Sequence, residues 1–258
     1  MDADRARNGG GRGGATLHVD LRLARGEGFA LDVRFEAAPG VTVLFGPSGS
    51  GKSTTLAAIA GLARPSSGRI TLGDQPWFDS AGRIDVPVHR RAVAYVFQSL
   101  ALFPHMTAAQ NVAYGMNRGL DREAKRARAM ALLERLRVAP LADRKPATFS
   151  GGEAQRVALA RALATEPRVV LLDEPFSALD RALRVDLVAD LREFVRELDV
   201  PVLFVTHHRQ EARALGHRVV VLDRGRVQRV GSVEELVTGG RDMSFDETPL
   251  DPDGMMRR

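Results

Sequence analysis

The 258-residue chain has no cysteine, which excludes disulfides, thiolate metal sites and thiol nucleophiles. Its longest apolar run, glycine included, spans only residues 56–63. A membrane helix needs about 20 such residues, so no segment is expected to cross a bilayer. The first residues lack a hydrophobic stretch of signal-peptide type, and no secretory signal is expected there. Lysine is scarce: Lys52, Lys125 and Lys145 are the only lysines among 37 basic residues, the rest being arginine. The net charge of +5 fits a face for nucleic acid or an anionic membrane, but without long blocks of like charge it reads first as arginine on a solvated surface. What is present, 44% apolar residues at this length, suffices for one large α/β domain, or a domain with a small lobe.

The most informative stretch runs from residue 41 to 62. A strand-like apolar run, 41–45, leads into Gly-x-x-x-x-Gly-Lys-Ser over 46–53, and apolar helix material follows from Thr54. Strand, loop and helix are the context that identifies a phosphate-binding P-loop. Gly46, Gly49 and Gly51 let the backbone curl, with Pro47, Ser48 and Ser50 between them, so that N–H groups converge on one concavity at a positive helix end. Lys52 supplies a point charge to the β- and γ-phosphates, and Ser53 a hydroxyl to Mg²⁺. In a chain so biased to arginine, a lysine here fits a phosphate cradle better than a planar fork would.

Alternating patterns over 17–23 and 29–35 predict two half-buried antiparallel strands, rejoined by short strands at 69–72 and around Trp77 and Phe78. Phe29 belongs either to the core or to a stack on an adenine ring. Residues 92–97 predict a buried strand ending at Gln98. The loop to His105 holds Leu100, Leu102, Phe103 and Pro104, an apolar content that suggests a contact surface. Thr107-x-x-Gln110 is a capping box for a helix to about 115. Residues 121–137 predict an amphipathic helix with Met130, Leu133 and Leu136 on one face. Residues 99–148 then form a helical lobe inserted between core strands. The runs 168–172 and 202–205 predict parallel strands buried on both faces, with a helix over 184–198 between them. A hairpin over 219–227 and a last short helix capped by Ser232 and Glu235 follow. Residues 1–14 and 239–258 read as disordered tails around one domain, 15–238.

Two further segments carry chemistry. Ser150-x-x-Glu153 is a capping box opening a helix to about 164. Gly151 and Gly152 cost roughly 1 kcal/mol each in that first turn. They are useful where a ligand must approach bare N–H groups, so Ser150, Gly151 and Gly152 are expected to bind the γ-phosphate of a nucleotide held by another subunit. The strand over 169–172 ends in Asp173-Glu174. Asp173 is placed to reach Mg²⁺, and Glu174 to polarise a water attacking the γ-phosphate. Residues 177–180 are placed to connect the two sites. His207 closes another buried strand, where ligands bind in such folds, and is expected to sense the γ-phosphate.

In order and spacing, residues 46–53, Gln98, Ser150-Gly-Gly-Glu153, Asp173-Glu174, residues 177–180 and His207 resemble the ATP-binding subunit of ABC transporters over roughly 17–236. The resemblance implies a RecA-like P-loop NTPase core with an antiparallel β subdomain and an inserted α-helical subdomain. It implies ATP and Mg²⁺ as cofactors, with Gln98 a further metal ligand and Glu174, His207 and Lys52 the catalytic set. It also implies a head-to-tail dimer with two ATPs sandwiched between P-loops and opposing signature segments. Two membrane permease subunits would dock at about Gln98 to His105, fed by a periplasmic or extracellular binding protein. The chain would lie peripherally at the cytoplasmic face of the inner membrane. Segments 87–91, 95–98, 102–105 and 111–116 look most like oxyanion importers of the molybdate branch, with sulfate or polyamine cassettes as alternatives. Soluble ABC ATPases of nucleic acid or ribosomes are less similar, since no long coiled coil or second cassette is present, and no nucleic acid is expected as a partner. Phe149 and Glu153 replace the commoner Leu and Gln of the signature. A carboxylate there is unfavourable unless it turns back into its own capping box. His208 stands where many relatives have Asp. With 51 residues after His207, no additional regulatory β domain, and hence no feedback inhibition through one, is expected.

Overall fold

The computed structural model describes residues 14–25, 29–116, 119–177, 179 and 181–238. In chain order its strands are β1 (Leu17–Arg25), β2 (Phe29–Ala37), β3 (Gly40–Phe45), β4 (Ser67–Leu72), β5 (Gln75–Asp79), β6 (Ile84–Asp85), β7 (Val93–Val96), β8 (Val169–Asp173), β9 (Pro201–Thr206), β10 (Arg218–Asp223) and β11 (Arg226–Ser232). The helices are α1 (Lys52–Ala60), α2 (Ala108–Tyr114), α3 (Arg122–Arg135), α4 (Gly151–Leu163), α5 (Arg181–Arg196) and α6 (Arg209–Leu215).

Alternation in β1 and β2 buries Leu17, Val19 and Leu21 beside Val33, Phe35 and Ala37. The register sets opposite charges directly across on the outer face, Arg22 with Asp32 at 3.2 Å and Asp20 with Arg34 at 3.7 Å. β4, β5 and β6 extend this antiparallel unit from β1. The second unit is parallel, in the order β10-β3-β9-β8-β7. β11 folds back on β10 and meets β2 at Arg226 and Asp32, which joins both units into one sheet.

The parallel strands are apolar at nearly every position because each face has its own core. Val43, Phe45, Val170, Leu172, Val202 and Phe204 enter a core shared with α2 to α6. Their neighbours Leu44, Val169, Leu171, Leu203 and Val205 enter a second core under α1 and the antiparallel strands. The two cores hold the central strands from both sides, and with them the strand ends that carry the expected site.

Several expectations change. Residues 92–97 are not a fully buried strand: β7 is the sheet's edge, Val93 and Tyr95 are half-buried, and Phe97 is exposed. The predicted final helix is a single π-helical turn, Glu234–Thr238, although Ser232 and Glu235 do bond each other reciprocally. α5 begins at Arg181 rather than 184, and α6 has no counterpart in the sequence reading. The capping boxes at Thr107 and Ser150 form as predicted. α2 and α3 pack on each other and on α4, so the helical group continues past residue 148. The tail readings at 1–13 and 239–258 lie outside the described residues.

One buried side chain organises the loop before α2. Asn111 accepts from the Phe103 amide at 2.9 Å and donates to the Phe103, Met106 and Thr107 carbonyls at 3.1 to 3.2 Å. Asn111→Ala would strand these groups in a buried site. We expect a loss of about 2–4 kcal/mol in stability by urea denaturation, with faster amide exchange over residues 100–107. Unchanged exchange there would show that the loop holds without it.

Candidate functional site

Three neighbouring parallel strands end along one line: Phe45 pairs with Thr206, and Asp173 with Val205. The loop 46–51 leaves that edge. A Cβ on Gly46 would lie 2.1 Å from the Leu222 carbonyl oxygen of β10, so only glycine lets the chain pass its neighbour. Gly51, at φ 103°, is the N-cap of α1 and brings no capping side chain. The first amides of α1 therefore open toward the loop.

Lys52 is buried and donates to the Gly46 and Pro47 carbonyls, each at 2.8 Å. Burial lowers its pKa, against the raising influence of Glu174 and Asp173. Ser53 donates to Asp173 Oδ1 at 2.8 Å, and the Tyr95 hydroxyl donates to Oδ2 at 3.0 Å. Burial raises the Asp173 pKa, the two hydrogen bonds oppose that, and the Glu174 charge adds to it. Glu174 sits at φ 43°, a left-handed conformation that costs a non-glycine residue roughly 1 kcal/mol. Its amide bonds the Val205 carbonyl, and its carboxylate comes within 3.4 Å of His207 Nδ1.

Ser48, Gly49, Gly51 to Thr54, Gln98 and Glu174 enclose one cavity of about 430 Å³. The Ser53 hydroxyl, the Asp173 carboxylate and the Gln98 amide oxygen are hard donors of the kind Mg²⁺ takes. The bond from Ser53 to Asp173 already brings two of them together beside the Lys52 cradle. Gln98 also donates to Ser177 Oγ at 3.1 Å, tying the end of β7 to the turn after β8. Ala178 and Asp180, and the Phe29 side chain, lie outside the described residues.

The His207 and His208 rings lie against each other at a tilt of 40°, with centroids 4.1 Å apart. Arg184 of α5 donates to His208 Nε2 at 2.8 Å and to the Leu179 carbonyl at 3.0 Å. His208 Nε2 thus acts as an acceptor from the guanidinium. Behind it Glu211 is buried, which raises its pKa, and it accepts from the Thr206 hydroxyl. This network was not legible in the sequence, because Arg184 and Glu211 lie on helices whose facing the periodicity did not fix.

Ser150 to Glu153 do not line the cavity. Glu153 Oε2 accepts from the Ser150 amide at 2.7 Å, and Ser150 Oγ from the Glu153 amide. The carboxylate is thereby turned back into its own capping box, and these bonds hold its pKa low. The glycines have a packing reason too: a Cβ on Gly151 would lie 3.0 Å from Leu179, and one on Gly152 2.9 Å from Leu183. The 99–105 surface is also arranged differently from expectation. Leu100 and Leu102 pack inward on the core; Tyr114 is exposed, its ring tilted against Phe103 with centroids 4.5 Å apart, and Phe97 is exposed separately beside Tyr95. No helix among the described residues is long and apolar enough to cross a membrane.

A family model described as ABC transporter matches residues 31–177. Molybdenum import ATP-binding protein ModC 1 of Azotobacter vinelandii is 44% identical over 211 residues, covering 81% of this chain and 58% of that protein. A sulfate/thiosulfate import ATP-binding protein, CysA of Gloeobacter violaceus, is 47% identical over 207 residues, covering 80% and 58%. The chain therefore spans under two thirds of the length of these curated relatives. Among solved structures, a dimeric ATP-binding cassette in a post-hydrolysis state bound to ADP and Pi is similar, with TM-score 0.71 and 28% identity over 84% of this chain and 98% of that one.

Proposed function

This chain belongs to the ABC transporter family, and we propose that it is the ATP-hydrolysing subunit of an importer of oxyanions, with molybdate the first candidate cargo. The observation that carries the reading is the cavity at the carboxyl edge of β3, β8 and β9. There an open helix end, a buried lysine and the Glu174 carboxylate line one space, with Asp173 bonded to Ser53 behind it. The similarity to molybdenum import proteins supports the cargo; the sulfate/thiosulfate relatives, at 45–47% identity, support sulfate as the second reading.

In this reading the P-loop amides and Lys52 hold the β- and γ-phosphates, Lys52 exchanging its two loop carbonyls for phosphate oxygens. Ser53, Asp173 and Gln98 are the residues that would hold Mg²⁺, which when bound neutralises charge on the transferring phosphoryl group. Glu174 takes a proton from the attacking water as its oxygen bonds to the γ-phosphorus and the bond to the ADP oxygen breaks, leaving ADP and inorganic phosphate. His207 orients the γ-phosphate beside it. Ser150 to Gly152, outside this cavity, meet the γ-phosphate bound by a second copy arranged head to tail. Closure of the pair moves the face made by Phe103 and Tyr114 and, through it, two permease subunits at the inner face of the membrane.

The test is reconstitution with oxyanion permease subunits and their binding protein, in vesicles with this chain and ATP enclosed. Molybdate and tungstate are expected to enter and to compete with one another. Uptake of sulfate in their place would shift the cargo to the second reading, and ATP-independent uptake would remove the role altogether.

A further inference from the structure

Resting on the ATPase reading above, we propose that Tyr95 is a positioning residue of the metal site: its hydroxyl holds Asp173 in the orientation that receives the divalent cation. Asp173 is bonded at both oxygens, Oδ1 by Ser53 and Oδ2 by Tyr95. The two bonds are not equivalent. Ser53 is itself a metal-ligand residue in this reading: its oxygen lone pairs face the cation while its O–H donates to Oδ1, so that bond depends on where the cation sits. Tyr95 approaches Oδ2 from the neighbouring edge strand and has no second duty, so its bond fixes the carboxylate plane independently of the cation.

The ring is held in place to do this. Parallel pairing sets Tyr95 opposite Leu171, two residues before Asp173. Its ring stacks on Phe97 with centroids 4.1 Å apart and planes at 17°. Phenylalanine would preserve the ring, the stack and the contact with the second core, to which Tyr95 is a partly buried contributor. The hydroxyl adds nothing to that packing; it bonds the carboxylate. Tyr95 and Ser53 also line a further cavity of about 460 Å³ beside α1. Without the hydroxyl, water in that cavity competes for Oδ2 and leaves the carboxylate free to rotate.

Partners that orient metal-bound carboxylates typically contribute 10- to 100-fold to metal affinity. The experiment measures ATP affinity of the full chain and of Tyr95→Phe by equilibrium dialysis on ice, once in EDTA and once in Mg²⁺, with the Mn²⁺ electron paramagnetic resonance spectrum of the ATP complex recorded in parallel. We expect equal affinities in EDTA, an affinity about 10-fold weaker for the variant in Mg²⁺, and an altered Mn²⁺ line shape. Equal weakening under both conditions would mark a structural role only and overturn the proposal. So would matching affinities and spectra throughout. A wild-type chain that binds no ATP would instead remove the ATPase reading itself, an outcome distinct from a wild type that binds ATP with a variant that equals it.

Discussion

Replacement of Glu174 by glutamine is expected to leave ATP binding intact and to slow hydrolysis by about 10²- to 10⁴-fold, the usual contribution of a positioned general base. Glutamine matches the shape of glutamate, so it keeps the left-handed turn at residue 174 and the amide bond to the Val205 carbonyl. What it removes is the proton acceptor and one negative charge beside the γ-phosphate position. Loss of that charge also relieves repulsion of an incoming nucleotide, so the ATP-bound pair of subunits is expected to accumulate. Phosphate release and gel filtration in ATP read both effects. A variant that turns over at close to the wild-type rate would exclude Glu174 as the base and move attention to His207, 3.4 Å away.

Gly46→Ala is expected to cost roughly 3 kcal/mol or more in stability and to abolish ATP binding, because the added Cβ would meet the Leu222 backbone oxygen at 2.1 Å. A backbone atom inside a paired strand cannot move aside as a side-chain end can. Relief must come from the loop itself, which displaces the carbonyls that hold Lys52. Gly49→Ala is the matched control. No protein atom lies within 4 Å of where its Cβ would stand, so for the stability of the chain its φ of 79° is the demand on glycine, worth about 1 kcal/mol. Thermal melts and ATP titrations of both variants test the contrast. Equal, mild losses would mean that β10 yields at Leu222.

The different weights of these two glycines were not visible in the chain's spelling. Both belong to one motif, and both read as turn formers; the difference arises from a strand more than 170 residues downstream. The same holds for Gly151 and Gly152. Their cost in a helix start pointed to a ligand, whereas the ends of Leu179 and Leu183 also crowd the place a side chain would take. For the 99–105 loop the apolar content was legible, but not that Leu100 and Leu102 turn inward and leave Tyr114 and Phe103 outside.

Local physics was enough for much of the remainder. The P-loop, the two capping boxes, the alternation of β1 and β2 and the doubly buried runs of β8 and β9 each depend on residues adjacent in sequence, where spacing alone dictates periodicity and hydrogen bonding. By itself the sequence determined that a glycine-rich loop with the P-loop pattern follows β3, that two carboxylates end β8, and that a second helix start carries a capping box with two glycines. Only the tertiary structure decided that Ser53, Tyr95 and Asp173 meet, that Arg184 and His208 stand behind His207, and that Ser150 to Gly152 lie outside their own P-loop cavity. Those are contacts between segments far apart in the chain, and they exist because strand order places β7, β8, β9 and β3 side by side, a choice made by the packing of two cores rather than by any one stretch of residues.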